Sequence, residues 1–428
     1  MRSFQTILLI VFAFFIVGAV MIFSGVIGGG KNSTEQLASE PVVLWGTLPK
    51  LTIEEILKRA QDDAGEESAI TYVEKSAETF EADLIDALAS DKGPDLVLVS
   101  HPTLLKQRDK ILPIPYTYLP ERTFKDSFIE ASEVMLSSEG SLGLPFFSDP
   151  IIMYWNRDMF TKAGIPSAPA TWLEVQLLPE RLTKLDSNGN INESAVALGG
   201  VTNVAHFKEI LSAQIMQTGN QIISLSAGVP DVVLGKLDGA DSALRYYTEF
   251  ANPSLPKYSW NSAKRNSLDE FVSGKLGVYF GFASELGTIR ERNPHLNFDV
   301  ATFPQVSSGE RRLTFTNVYS FAVLRNSPVP DSATAVAYRL SLGKTAPIAS
   351  AVLELPPARR DLLNVTPENA FLTLFYSSAV IGKTWFDPNA VASRNIFADM
   401  IESVMIGKSS PDTAVTSADT RLRDLLSI

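Results

Sequence analysis

Cysteine is absent from all 428 residues. That excludes disulfides, thiolate metal centres and a cysteine nucleophile. Histidine is almost as scarce. His101, His206 and His295 are the three present, too scattered to form a sequence-local metal motif. Positive charge is in deficit, with 37 Lys and Arg against 48 Asp and Glu, a formal charge of -11. Nucleic acid needs a basic surface for its phosphates and is not an expected partner. The simplest meaning of the charge is an acidic, solvated surface.

Catalytic signatures are missing as well. Gly382-Lys383-Thr384 has the end of a phosphate loop, but the glycine required five residues earlier is Ser377. No G-x-S-x-G elbow occurs, so a hydrolase serine has no support. Asp186, Asn188, Asn190 and Asn192 suggest a calcium loop, yet its sixth and twelfth positions are Ile191 and Ala197. An Asn-Gly hairpin turn explains that stretch better. A glycosidase pair has no fixed spacing, and Asp149 with Glu285 is the pair to suspect for an enzyme reading. On balance no enzyme, no metal and no cofactor is expected.

What is present is ordinary globular composition, 45% hydrophobic and 20% charged, in a chain long enough for two α/β lobes. Residues 7–27 are uncharged and almost wholly apolar, about 30 Å as a helix, which is one bilayer core. The run is long for a cleaved signal, although Gly28, Gly29 and Gly30 could accept cleavage. We expect an uncleaved single-pass anchor, with residues 28–40 as a flexible tether and the remainder outside the cytoplasm. Secretion after cleavage is the alternative.

After the tether, a short apolar run ends in Trp45-Gly46-Thr47 and reads as a first strand. Thr52 and Glu55 form a capping box for a helix that stops at Gly65. Residues 69–73 read as a second strand, 79–89 as a helix, and 96–99 as a continuous apolar strand of the parallel type. This alternation implies a doubly wound sheet whose ligands bind beyond the carboxyl ends, at Trp45, Thr47, Ser100 and His101.

Residues 143–172 organise the rest. Leu144-Pro145-Phe146-Phe147 leads through Ser148, Asp149 and Pro150 into an apolar strand over 151–155. Asn156 opens a short helix that stops at Gly164, with Pro166 behind it. Thr171 and Glu174 cap the next helix.

With Tyr154, Asn156, Asp158, Phe160, Lys162, Ala163, Gly164 and Trp172 in place, this segment resembles the crossing segment of the family 1 extracellular solute-binding proteins, the sugar-binding components of ABC importers. Residues 271–289 look like that family's "F..GKAAM...G.W" return segment, and 314–324 like a third crossing. Residues 297–304, 353–360 and 406–422 are similar to later family segments, so the resemblance covers about 42–422. One departure is the missing cysteine by which many relatives carry a lipid, which leaves residues 7–27 as the anchor. The resemblance implies a two-lobed periplasmic-binding-protein fold of type II, with discontinuous lobes and a multi-strand hinge. The lobes are expected at 41–147 plus 278–318 and at 148–277 plus 319–428, after an anchor and tether at 1–40.

A sugar site needs aromatic rings for its C–H faces and polar groups for its hydroxyls. The resemblance places Phe147, Asp149, Asn203, His206, Gly281, Phe282, Asn317, Tyr319, Trp385 and Arg394 there, beside Trp45, Thr47 and Ser100. Where relatives carry a Gly-x-Trp platform this chain has Ala283, which puts a maltose-like ligand in doubt and leaves Phe282 to replace it. Trp155 and Trp172 are assigned to the core. The expected function is capture of a solute, a mono- or oligosaccharide, by hinge closure of a monomer, and its delivery to ABC permease subunits. A membrane-anchored sensor built on the same lobes, and a secreted carbohydrate-active enzyme, are the rival readings.

Overall fold

The structure is a computed structural model that describes residues 40–64, 70–226, 229–236, 238–306 and 312–427. The expected anchor at 7–27 lies outside the described residues, as does nearly all of the tether. Among the described residues no helix is long and apolar enough to cross a membrane.

The first strands follow the apolar runs closely: β1 Val42–Gly46, β2 Ile70–Glu74 and β3 Leu96–Ser100. All three are parallel, with β1 between the other two. The helix after β1 begins at Lys50, earlier than the expected Thr52 cap, because Thr52 and Ile53 both donate to the Pro49 carbonyl. Strand β4, Leu144–Asn156, is one continuous element of 13 residues rather than a five-residue strand, and every residue except Trp155 is buried. The remaining strands are β5 Lys184–Leu185, β6 Ile191–Val196, β7 Ile223–Ser226, β8 Val229–Val232, β9 Leu276–Phe282, β10 Phe298–Ala301, β11 Thr314–Val323 and β12 Gly382–Lys383. The main sheet runs β2-β1-β3-β11-β4-β9-β6-β5, with β10 on β4 and β12 on β11.

Strand β4 belongs to both lobes. Its first half pairs antiparallel with β11 from Leu144 to Pro150, and its second half pairs with β9 from Ile151 to Trp155 and with β10 from Met153 to Asn156. On the edge away from β11, Ser148 N–H donates to the Pro356 carbonyl, and Ala358 N–H donates to that of Phe146. The neighbours therefore change on both edges near Pro150. Proline has no N–H to offer a ladder, so the changeover falls where a hydrogen bond is missing in any case. The result is a two-lobed α/β fold with one mixed sheet.

The order of crossings differs from the sequence reading. Strand β9 does not return to the first lobe but stays beside the second half of β4. Strand β11 carries the chain from the second lobe to the first, where it pairs with β3. Helices Pro330–Leu342 and Thr345–Leu353 then pack with β1, β4, β11 and the helix Lys50–Ala64, which puts them in the first lobe rather than the second. The chain passes back through the helix Ala370–Val380 and β12. Helices Ala390–Met405 and Pro411–Leu426 close the second lobe against Ala240–Glu249. An apolar segment with a glycine near its end reads alike whether it crosses or stops short; only its partners decide.

Local signals in the central segment are made as their residues dictate. Asn156 Oδ1 accepts from Met159 N–H, and Thr171 and Glu174 exchange both bonds of a capping box. Residues 184–196 form the β5–β6 hairpin, with Gly189 at a φ of 82° and the Asp186 carboxylate accepting from the Asn188 and Asn190 N–H groups. Trp172 is in the core as expected, and Trp155 packs partly buried against Phe160.

One buried side chain joins distant parts of the second lobe. Gln217 accepts from the Trp172 indole N–H at 2.6 Å and donates to the carbonyls of Pro304 at 2.8 Å and Leu313 at 2.9 Å. Gln217→Leu keeps the volume but leaves the indole without its acceptor. Removing a partner from buried groups is costly, so we expect a loss of about 3 kcal/mol in urea unfolding.

Candidate functional site

The carboxyl ends of β6 and β9 point back toward the first lobe, because β9 is antiparallel to β4 and β6 runs with β9. The turns beyond those ends meet the middle of β4. Asp149, only 3% exposed, accepts from the Ser284 hydroxyl at 2.6 Å and from the Ser284 N–H at 3.0 Å. Next to it, Glu285 takes the His206 Nε2 at 2.8 Å on one oxygen and the Tyr279 hydroxyl at 2.8 Å on the other. The His206 ring stands edge-on to Phe282, with centroids 4.7 Å apart. Its backbone lies in the left-handed region at a φ of 55°, a strained conformation for a non-glycine residue. A Cβ on Gly281 would come within 2.1 Å of a Glu285 oxygen and 2.4 Å of the Tyr279 ring, so the glycine is what lets Glu285 fold over the strand.

Charge and burial act against each other here. Burial raises the Asp149 carboxyl to about 6, in spite of the two donors from Ser284. Burial also pulls the His206 imidazole down, but the bond and charge of Glu285 carry it above its ordinary value.

The structure gathers Asp149, His206, Gly281 and Phe282 into this cluster, and β11 brings others beside it. Asn317 is paired in register with Asp149, and Tyr319 with both Phe147 and Ser100. Tyr319 and Phe147 are stacked at 4.5 Å, and burial together with the Asp149 charge raises the tyrosine hydroxyl. Phe147 is fully buried, so it supports Tyr319. Trp45 is buried too and carries Lys75 Nζ 4.0 Å above its ring, while Thr47 is half-buried in the turn after β1.

Three expected residues sit differently. Asn203 spends its amide inside the second lobe, donating to the carbonyls of Asn261 and Lys264 and accepting from the Trp260 indole. Trp385 is buried, with its indole N–H on Ser212 and its ring stacked on Phe397. Arg394 is exposed and lies over Phe207 at 4.3 Å. A separate inter-lobe cleft of about 1000 Å³ is lined by Tyr116, Glu133, Ile222, Lys383, Trp385 and Phe386 among others, and of the expected site residues it includes Trp385 alone.

Sequence reasoning missed Ser284, Tyr279 and the role of Glu285 as a partner rather than an acid. The Ser-Glu pair at the start of the helix Glu285–Arg292 was the available signal. It also missed a contact across the lobes. His101, fully buried, accepts from Val318 N–H on Nδ1 at 3.3 Å, so its proton is on Nε2 and is shared with the Thr384 hydroxyl at 2.8 Å. Burial and the nearby Lys208 charge lower this imidazole to about 3.

Two lobes joined by crossing strands, with opposed strand ends at the junction, define a ligand-enclosing fold of the periplasmic-binding type. A sequence profile of the bacterial extracellular solute-binding proteins matches residues 53–337, and the chain belongs to that family. It is 25% identical over 316 residues to a binding protein of Brucella abortus, covering 71% of this chain and 72% of that one. A binding protein of Brucella suis matches equally well. Among solved structures, a cyclic alpha-maltosyl-1,6-maltose binding protein from Arthrobacter globiformis superimposes with a TM-score of 0.74 at 17% identity, over 90% of this chain and 99% of that one. A cyclo/maltodextrin-binding protein complexed with maltotetraose gives 0.71 at 18%, over 90% and 97%.

Two outcomes are expected at this site. Because the folded Asp149 has the raised value, the native state holds its proton more tightly, so its stabilising contribution is present below about pH 4 and lost as pH rises to about 6. Relative to Asp149→Asn, the wild type should lose about 3 kcal/mol across that window in urea titrations. Asn203→Ala should lower the unfolding midpoint by breaking three bonds, yet leave ligand affinity unchanged in calorimetry.

Proposed function

We propose that this solute-binding protein captures a carbohydrate outside the cytoplasm and delivers it, unchanged, to the permease subunits of an ABC importer. The observation that carries this is the opposition of strand ends across β4 and β11. There, fixed hydrogen-bonding groups on Asp149, Ser284, Glu285 and His206 lie beside the rings of Tyr319 and Phe282. Such a mixture of ring faces and directed polar groups suits sugars. Oligosaccharide-bound neighbours, among them one described with mannotriose bound, support the same ligand class.

The mechanism rests on the crossings. Among the described residues, β4, β11 and the stretch through the helix Ala370–Val380 and β12 carry the chain between lobes, so rotation about them opens or shuts the junction. A ligand that touches both lobes gains contacts only in the shut arrangement and shifts the population toward it. We assign no reaction to Asp149 and Glu285. Each oxygen of the two carboxylates already accepts a donor from the protein, which suits recognition. The protein acts as a monomer, held at the membrane by residues 7–27, and such tethering raises its concentration near the permease.

Thermal unfolding of the full chain with maltotetraose, mannotriose, spermidine and citrate tests this. An oligosaccharide should raise the midpoint in proportion to the logarithm of its concentration and be recovered intact. A response to spermidine or citrate alone would overturn the carbohydrate assignment. Conversion of the sugar would overturn the binding-protein assignment.

A further inference from the structure

The cluster at the ends of β6 and β9 carries more chemical information than the fold. Asp149 is closed off, but Glu285 and His206 keep 20% and 22% of their side chains exposed, so they are the cluster's opening to a ligand. We propose that Glu285 is a specificity-determining residue, and that the site admits neutral, hydroxyl-rich saccharides while rejecting acidic ones such as uronates. This rests on the proposed carbohydrate function and narrows it.

Two observations and two general properties of carboxylates support the assignment. Both Glu285 oxygens are fixed, one by His206 and one by Tyr279, so the carboxylate is oriented before any ligand arrives. Each oxygen still has a lone pair to accept a sugar hydroxyl. Hydrogen bonds to a charged acceptor are roughly twice as strong as neutral ones. Asp149 adds a second carboxylate close enough to interact with the first, while the nearest titratable cation facing both is His206. Above about pH 6, where Asp149 is ionised, the cluster presents two negative charges to a ligand with His206 neutral and one with it protonated. In either state an incoming carboxylate meets like charge in a largely water-excluded place, where repulsion is weakly screened. A hydroxyl donor meets the opposite situation.

The loss of the aromatic platform at Ala283 gives this polar pair greater weight. With Ala in that position, ring stacking falls to Phe282, which is largely buried and lies at 73° to the His206 ring. Discrimination then shifts from the apolar faces of the sugar to its rim.

The test compares full-length wild type with Glu285→Gln and Glu285→Ala, using maltotetraose, mannotriose and trigalacturonate, with citrate as a non-sugar anion. The wild type should respond to a neutral oligosaccharide and to neither anion. Glu285→Gln should bind the neutral sugar about tenfold more weakly and narrow the gap to trigalacturonate. A wild type that binds trigalacturonate or citrate as tightly as the neutral sugars, or a Gln variant with undiminished affinity, would overturn the assignment.

A ligand-free measurement keeps this separate from the carbohydrate reading. With only three histidines, the imidazole signals resolve by NMR. His206 should titrate above its ordinary value in the wild type and fall in Glu285→Gln. An unmoved His206 would mean that the pair is not made, and the inference would fail whatever the ligand. A moved His206 with a spermidine response and no sugar response would retain anion rejection, with the carbohydrate reading lost.

Discussion

The hydrogen-bond ladder of β4 is the constraint on which the molecule depends. Thirteen residues of nearly unbroken burial leave their backbone groups no access to water, so each must find a partner in the sheet. The partners come from four separate parts of the chain: β11 and residues 356–358 over the first half, β9 and β10 over the second. Two sheets are thereby fused along one strand, and the lobes can differ in everything else. Pro150 marks the seam, and its carbonyl still accepts from Ala283 N–H. That bond sets the start of the turn from which Ser284 reaches Asp149.

The junction also explains why so polar a cluster can be buried. Asp149 would be costly there as a free charge. It accepts from the backbone and side chain of a single residue, Ser284, while the neighbouring carboxylate takes His206 and Tyr279. Each donor is fixed by secondary structure: Tyr279 on β9, His206 at the start of the helix Phe207–Gln217, and Ser284 before the helix Glu285–Arg292. The strained backbone of His206 belongs to the same compromise between local comfort and a directed side chain.

Much of the first lobe was legible in sequence because its strands are short continuous apolar runs with helices between them. The caps at Asn156 and Thr171, and the Asp186–Asn190 turn, were legible because their signals are local. The direction of the crossings was not. Residues 276–282 and 314–323 are both apolar and β-rich, and whether either leaves its lobe depends on partners more than a hundred residues away. Asp149 and His206 were placed at the site by resemblance. Glu285 was singled out only as a suspect acid beside Asp149, and Ser284 had nothing more than its place before that glutamate to advertise it. Asn203 shows the converse, a polar residue in a suggestive place whose amide is consumed by Trp260, Asn261 and Lys264.

The tautomer of His101 bears on the environment in which the protein works. An imidazole that receives an N–H on one nitrogen cannot be protonated there without facing donor against donor. Its lowered value keeps it neutral to about 3. The link it makes from β3 through the crossing strand to Thr384 therefore does not switch as external pH drifts through the weakly acidic range. This one link between the lobes therefore keeps the same charge state in neutral and in weakly acidified surroundings.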